Sequence, residues 1–372
     1  MMRTEGRAAG GTLLGRAVFA LLLAGQVAFL ASAADVEEKR PDEGSIAVVE
    51  IRDVLVPVTR DYLERALAEA SRRNARLVII ELDTPGGLVT TVRSMVTAIL
   101  DSAVPVVVHV TPSGASAASG GVFLVLAADV AAMAPISDMG AAHPIYGAGA
   151  NKPDDILLTK AENELAAFAR SLAVHRHRNP DLAEKMVRES HSYSSREALD
   201  AGLIDALAAD RSELIEWLDG REVVRYDGQK VVLHLDGLQV EPIPRTTREH
   251  LLGILSQPTM AFFLLGLGLL GLYVEITHPG ALLPGAVGVL SLLLFGLASQ
   301  LLPVNWLAVA LIGVGAGLLL LELKVMSYGA LTVGGLGCLV IGGLMLFNGP
   351  PELQVPHSVI IAGALSVGLI AV

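Results

Sequence analysis

The chain has 372 residues, is 52% apolar and carries a net charge of −11, so it has room for two or three domains and more apolar side chains than a soluble protein needs. That acidic balance excludes a nucleic-acid partner, because phosphate binding requires clustered Lys and Arg. Cys338 is the single cysteine, which excludes an intrachain disulfide.

Arg3, Arg7 and Arg16 lead into an apolar stretch over residues 17–30 that ends in Ala31-Ser32-Ala33. A basic start, a short apolar core and a small-residue cleavage site read as a secretory signal peptide over 1–33, with an uncleaved anchor helix as the alternative. Either would export the segment after it. Residues 34–44 form a charged linker, and 45–220 alternate short β-branched runs with helical periodicity. Ile46–Ile51, Leu77–Leu82 and residues 104–110 are nearly continuous apolar runs, broken only by Glu50, Glu81 and His109, as expected of strands covered on both faces. Between the first two, Thr59 is predicted to cap a helix with Leu63, Ala66, Leu67 and Ala70 on one stripe. Between the second two, Leu88, Val92, Met95, Val96 and Ile99 recur at helical spacing. Strand, helix, strand, helix, strand implies parallel crossovers and an α/β core. Within 221–250, read as a β-hairpin and juxtamembrane linker, the hairpin turns at Asp227-Gly228. Over 251–372 the apolar segments 257–274, 281–302, 305–321, 330–347 and 358–372 predict about four to five membrane-crossing helices. The first of them is short and Gly-rich. If 45–250 lie outside, the loop with Lys324, the one basic residue of this region, falls on the cytoplasmic side. The sequence stops inside an apolar run, so we expect a chain cut before a further domain.

Two glycine-containing turns carry the chemistry. Asp83-Thr84-Pro85-Gly86-Gly87 comes after a strand and opens a helix; its paired glycines let backbone N–H groups approach a ligand near a positive helix end, which suits an oxyanion hole. An ordinary strand-to-helix turn has the same composition. The second turn, residues 112–121, surrounds Ser119 with Gly114, Ala115, Ala117, Ala118, Gly120 and Gly121. A serine entering a buried helix can present its hydroxyl while the next N–H holds an oxyanion, although small residues also serve helix packing. A serine hydroxyl needs a base. Lys160 is the candidate, at the start of a helix whose apolar face holds Leu165, Phe168 and Leu172, with Asn163 one turn on to orient the amine. A lysine acting as base at neutral pH must be desolvated by about three pKa units from roughly 10.4, at a cost of about 4 kcal/mol; a solvated helix lysine is the bland reading. His175, His177 and His191 show no metal-ligand spacing and read as surface residues, and no metal or cofactor is expected.

Taken in order, Leu82-Asp83-Thr84-Pro85-Gly86-Gly87-Leu88, residues 112–121, Met133-Ala134-Pro135, Gly140-Ala141-Ala142-His143-Pro144, Lys160 through Asn163, residues 197–205, Tyr273-Val274-Glu275 and His278-Pro279-Gly280 resemble the NfeD membrane-bound peptidases. Residues 45–220 are similar to the Clp protease and crotonase fold. The resemblance implies an α/β Clp/crotonase-like serine peptidase domain followed by an all-α multispanning transmembrane region, a Ser119–Lys160 dyad, and an oxyanion hole from Gly86, Gly87 and Gly120. It departs at Gly120, where the family usually has alanine. It also implies an OB-type domain after the membrane region, a homo-oligomer, and a stomatin-like membrane protein as partner beside the lipid bilayer, with the peptidase domain extracytoplasmic.

His143 and Asp205 lie where Clp-type peptidases place the rest of a Ser-His-Asp triad, and imidazole is near neutrality without desolvation. The competing mechanism therefore uses His143 and Asp205. Competing functions are a non-catalytic membrane-microdomain scaffold and an acyl-CoA enzyme of crotonase type; export and the lack of a basic phosphate loop count against the latter. The expected activity is an endopeptidase on hydrophobic peptide segments.

Overall fold

A computed structural model describes residues 44–144, 155–278, 280, 282–322, 324–325, 327–349 and 353–371; the expected signal segment 1–33 and linker residues 34–43 lie outside them. Strands β1 (Ile46–Ile51), β2 (Leu77–Leu82), β3 (Val106–Val110), β5 (Val130–Met133), β8 (Ala206–Leu207) and β11 (Val240–Pro242) form one sheet in the order β11-β1-β2-β3-β5-β8, with every pair parallel. Successive side chains point to opposite faces. Val49, Ile80 and Val108 thus enter one core, and Ile46, Ile79 and Val107 enter another. Because both faces are covered, the runs show no polar alternation. Helices α1 (Pro57–Arg72), α2 (Val89–Leu100) and α3 (Gly121–Ala127) supply the crossovers that parallel neighbours require. The α/β class expected from the sequence is what forms.

Two details differ from expectation. β3 begins at Val106, two residues late, because Pro105 has no N–H for the ladder. Thr59 is not a cap: α1 starts at Pro57, whose ring presets the first helical turn, and the Thr59 hydroxyl donates back to the Val54 carbonyl at 3.0 Å.

A second sheet has no periodic signal in the sequence, since each of its strands has three residues. It consists of β4 (Ser116–Ala118), β6 (Asp138–Gly140) and β7 (Ser192–Ser194), with β4 parallel and β7 antiparallel to β6. Thr84, just past β2, bridges to Ala117 of β4, so this sheet extends the main one beyond its carboxyl ends. Helices α4 (Asp155–His175), α5 (Pro180–Arg188) and α6 (Ser195–Asp200) come next in chain order.

On the opposite face, α7 (Arg211–Leu218) and the hairpin of β9 (Glu222–Val224) and β10 (Lys230–Val232) close the smaller core with Leu214, Leu218, Val223 and Leu233. The hairpin turns at Gly228, φ +82°, as the Asp-Gly pair predicts. The chain then returns through β11 to pair with β1, so this stretch belongs to the domain and is more than a linker. α8 (Thr247–Leu255) opens with a capping box between Thr246 and Glu249. Arg65 of α1 reaches Glu249 with Nε at 2.6 Å and a terminal nitrogen at 2.8 Å, tying α8 to the domain.

Five apolar helices complete the described chain: α9 (Pro258–Thr277), α10 (Leu283–Ala298), α11 (Trp306–Glu322), α12 (Ala330–Leu344) and α13 (His357–Ala371). Glycines bring the paired helices together. A Cβ on Gly271 would sit 2.7 Å from the Gly288 Cα, and one on Gly315 would sit 2.7 Å from the Gly335 carbonyl oxygen. Among the described residues, α9 alone is long and apolar enough by itself to cross a membrane; its 20 residues make about 30 Å at 1.5 Å per residue. The segment expected to be short is therefore the longest. It runs on through Glu275, Ile276 and Thr277, the last of which returns its hydroxyl to the Tyr273 carbonyl at 2.9 Å.

Val56 and Val58 of the α/β domain share one buried cluster with Leu302, Phe347, Leu353 and Val355, and Leu88 packs against it. The α/β domain and the apolar helices are thus joined by side-chain packing as well as by the chain.

Candidate active site

The carboxyl ends of β2 and β3 meet the small sheet, and the turn after β2 is fixed by Thr84. Its N–H donates to the Ser116 carbonyl at 2.7 Å and its carbonyl accepts from Ala118 N–H at 3.0 Å. Its hydroxyl donates to the Asp53 carbonyl at 2.8 Å and accepts the Gly86 N–H at 3.1 Å. Gly86 has φ +115°, a conformation that only glycine adopts without strain. A Cβ there would lie 2.6 Å from Ser119 Cβ and 2.9 Å from its Oγ. Gly86 therefore gives room beside the serine, and its amide is already engaged by Thr84. This corrects its expected place as an oxyanion donor. Among the described residues the N–H groups of Gly87 and Gly120 have no such acceptor, and the two lie close together: a Cβ on Gly120 would be 3.5 Å from Gly87 N.

Ser119 stands between β4 and α3 with φ +50°. For a residue with a Cβ this left-handed turn costs of order 1–3 kcal/mol, and it persists because the neighbours hold it. The Ser119 N–H donates to the Gly140 carbonyl at 2.8 Å, and Gly140 presses so close to β7 that a Cβ would meet the His191 carbonyl oxygen at 2.3 Å. Immediately after it α3 begins, and the positive end of its dipole favours negative charge here.

Ser119 and Gly120 line a cavity of about 510 Å³ whose apolar walls include Leu88, Val92, Phe123, Leu165 and Phe168. His143 lines it too. Its Nδ1 lies 3.0 Å from the Val187 carbonyl; a carbonyl only accepts, so Nδ1 donates and Nε2 is left for another partner. Asp205 is elsewhere. Its Oδ2 accepts from Ala131 N–H at 2.7 Å and from Arg178 at 2.9 Å, and it borders a different cavity with Arg176 and Arg225. The alternative His143–Asp205 pair is not assembled, because the buried Arg178 guanidinium takes the carboxylate.

Lys160 is exposed on the second turn of α4 and has no hydrogen bond or ion pair among the described residues. Ala161, Glu164, Leu165 and Phe168 of the same helix line the cavity. Lys160 itself does not line it: the residue directly before Ala161, it flanks the lining stripe at its edge, one turn before Glu164. Asn163 is held away from it: its Oδ1 accepts from Arg188 at 2.7 Å. His175, His177 and His191 are exposed, as expected. Sequence reasoning passed over Thr84, the brace between the two turns, whose signal was a β-branched hydroxyl residue two places before a glycine. It also passed over Asn348 and Gly349, which line the same cavity from the apolar region and lie more than 200 residues away along the chain.

Two family descriptions match the chain: the NfeD1b N-terminal domain over residues 45–233 and the NfeD integral membrane domain over residues 259–372. The chain is 32% identical to the membrane-bound protease PH1510 of Pyrococcus horikoshii over 315 residues, 84% of this chain and 71% of that protein. It is 29% identical to the membrane protein NfeD1b of Bacillus subtilis over 334 residues, covering 88% of this chain and 72% of that one. Among solved structures it is similar to a serine-to-alanine mutant of the 1510-N membrane-bound stomatin-specific protease, with TM-score 0.51 and 32% identity over 55% of this chain and 99% of that one. A lysine-to-alanine mutant of the same protease, in complex with a substrate peptide, matches with TM-score 0.52 and 31% identity over 57% and 97%. With both domain types present in order, and a relative of this identity matched over most of both chains, the chain belongs to the NfeD family and is a membrane-bound serine peptidase.

Proposed function

We propose that Ser119 is the nucleophile of this peptidase, that Gly87 and Gly120 form its oxyanion hole and that Lys160 is its general base. The observation that carries the reading is the left-handed Ser119 beside Gly86, with two amides free of acceptors next to its hydroxyl. Ser119 Oγ attacks the scissile carbonyl carbon and its proton passes to the amine of Lys160. The carbonyl oxygen, now negative, is held by the two N–H groups. The amine then gives that proton to the leaving nitrogen as the peptide C–N bond breaks. Water attacks the acyl-enzyme as the base takes one of its protons, the bond from Ser119 Oγ to the acyl carbon breaks with that proton passing from the base to Oγ, and the acid product loses its own proton to solvent as the carboxylate. The lysine must come to the cavity edge for this, by a shift of the first turns of α4 when a peptide binds or when copies of the chain associate. The apolar walls suit aliphatic and aromatic side chains, and a relative described as stomatin-specific supports a stomatin-like membrane protein as substrate. The same reading has the apolar helices crossing the bilayer several times, with the peptidase domain extracytoplasmic and the chain in a homo-oligomer.

One observation favours a second base. His143 already lines the cavity, with Val187 in the orienting place of a carboxylate. Peptide cleavage by the full chain in detergent, with Ser119→Ala, Lys160→Ala and His143→Ala assayed separately, decides between them. We expect Ser119→Ala and Lys160→Ala to lose at least about a thousandfold in kcat, and a fluorophosphonate to label Ser119. Loss in His143→Ala with retention in Lys160→Ala transfers the base to the histidine. Retained cleavage in Ser119→Ala overturns the site.

A further inference from the structure

The cavity beside Ser119 is not built by the α/β domain alone, because Asn348 and Gly349 lie beyond α12 and close one side of it. Their placement is fixed by several contacts. Val304 and Phe347 form an antiparallel bridge, Asn305 N–H donates to the Leu346 carbonyl at 2.8 Å, and Asn348 N–H donates to the Pro303 carbonyl at 2.8 Å. Gly349 is buried so closely that a Cβ would meet Leu353 Cβ at 2.9 Å and Pro303 Cγ at 3.3 Å. Phe347, 3% exposed, belongs to the cluster that includes Val56 and Val58, and Leu88 both packs on that cluster and lines the cavity. The wall is therefore anchored at both ends. Between these anchors the Asn348 side chain is exposed and makes no hydrogen bond among the described residues. An amide carries both donors and an acceptor, the pair of functions that an extended peptide backbone presents.

We propose that Asn348 and Gly349 of the membrane domain are a wall of the peptide-binding cleft, with the Asn348 amide hydrogen-bonding the backbone of an extended apolar segment that leaves the bilayer beside α12. The inference rests on the reading of Ser119 as nucleophile. Asn348 is four residues past Leu344, the end of α12, so at about 3.5 Å per residue the wall is within roughly 14 Å of that helix end. A segment reaching it from the membrane needs only a few residues of extended chain. Asn348 is in this account a positioning residue, and a cleft formed by the α/β domain alone is open on this side.

The test uses the full chain in detergent, with an apolar decapeptide and a fluorogenic dipeptide amide too short to reach from Ser119 to the wall. Asn348→Ala should raise KM for the decapeptide three- to tenfold with kcat within twofold, and Asn348→Trp should raise it further. The dipeptide KM should change less than twofold in either variant. If Asn348→Trp does not fold, the alanine variant carries the comparison. Equal KM changes for the two substrates, no change for either, or a fall in kcat alone overturns the wall. Ser119→Ala is run alongside on both substrates: retained cleavage there overturns the nucleophile and the cleft with it, whereas lost cleavage with equal KM changes at Asn348 overturns the wall alone.

Discussion

Replacing Gly120 with alanine should damage this chain, and Val92 is the reason. The backbone at Gly120 is helical, φ −59° and ψ −26°, so alanine meets no conformational objection. Space is the obstacle: its Cβ would lie 2.6 Å from Val92 Cγ2 and 3.4 Å from Leu55 Cδ1. Carbon atoms in contact prefer about 3.5–4.0 Å, so the overlap with Val92 is about 1 Å. Val92 is 3% exposed, on α2 in the main core, and a helical valine has one strongly favoured χ1. Leaving that rotamer costs about 0.5–1.5 kcal/mol, and moving α2 instead is overpacking at about 1–3 kcal/mol. We therefore expect Gly120→Ala to lose roughly 1–3 kcal/mol, about 3–9 °C in melting temperature for a domain of this size, and to lose peptidase rate as the Gly87 and Gly120 amides separate. Val92→Ala alone should cost about 1.5–3 kcal/mol. The double variant should be no worse than Val92→Ala, a coupling of about 1–3 kcal/mol. Melting of the detergent-solubilised chain and peptide cleavage read both quantities. Additive losses, or a Gly120→Ala variant that melts with the parent, refute the argument.

Three further outcomes are expected of the site and its surroundings. Ser119→Gly should abolish cleavage yet raise stability by about 0.5–1 kcal/mol, because the left-handed strain of about 1–2 kcal/mol exceeds the added unfolded-state entropy of glycine; a lowered melting temperature contradicts the strain. Asp205→Asn should cost roughly 1–3 kcal/mol, since the Arg178 side chain is 2% exposed and loses its countercharge, while cleavage per folded molecule persists; loss of cleavage would restore the triad. His109 is fully buried on β3, its Nε2 donating to the Ala208 carbonyl at 2.9 Å and its Nδ1 without a partner among the described residues. Burial, against the opposing Ala208 carbonyl and Glu81, holds its pKa below the ordinary 6.5. The unfolded chain therefore takes up this proton first as pH falls. Its stabilising contribution is complete above about pH 6.5 and declines below it toward the depressed native value. His109→Gln keeps an N–H for Ala208 but cannot titrate, so it should flatten the fall in melting temperature between pH 7 and 5; an unchanged slope refutes this.

The parts of the fold that were legible are those whose residues report their own environment. β1 and β2 could be bounded from sequence because burial on both faces leaves a run that is apolar but for one glutamate in each, and α2 because Val92, Met95, Val96 and Ile99 keep one stripe. The small sheet was hidden because Ser116–Ala118 and Asp138–Gly140 owe their pairing to partners, with too few side chains to show a period. β11 is Val-Glu-Pro and is a strand only because β1 offers an open edge. The site divides in the same way. Gly86 was legible because a positive φ at a close approach demands glycine, but the engagement of its amide was not, since that depends on where Thr84 turns its hydroxyl. Asp205 looked like a triad member by position, and a buried arginine 27 residues earlier decided otherwise.

The two candidate bases hang from different helices, and that separates them experimentally. The cavity side of α4 is held by Arg93 of α2, which lies 2.8 Å from Glu164 and 4.5 Å from the Phe168 ring, while Phe168 stacks on Phe123 at 5.5 Å. His143 hangs instead from Val187 of α5. Arg93→Ala removes an ion pair and a cation–π contact together, freeing the turns of α4 next to Lys160 while leaving the His143–Val187 bond in place. If the lysine is the base, kcat should fall roughly tenfold or more, since a loss of about 1.4 kcal/mol in its positioning is a factor of ten. If the histidine is the base, kcat should hold and only KM should rise as the apolar wall loosens. Steady-state cleavage of one apolar peptide by the parent and Arg93→Ala reads both parameters. An unchanged kcat with raised KM refutes the lysine as base, because the group that takes the serine proton cannot be indifferent to the helix that carries it.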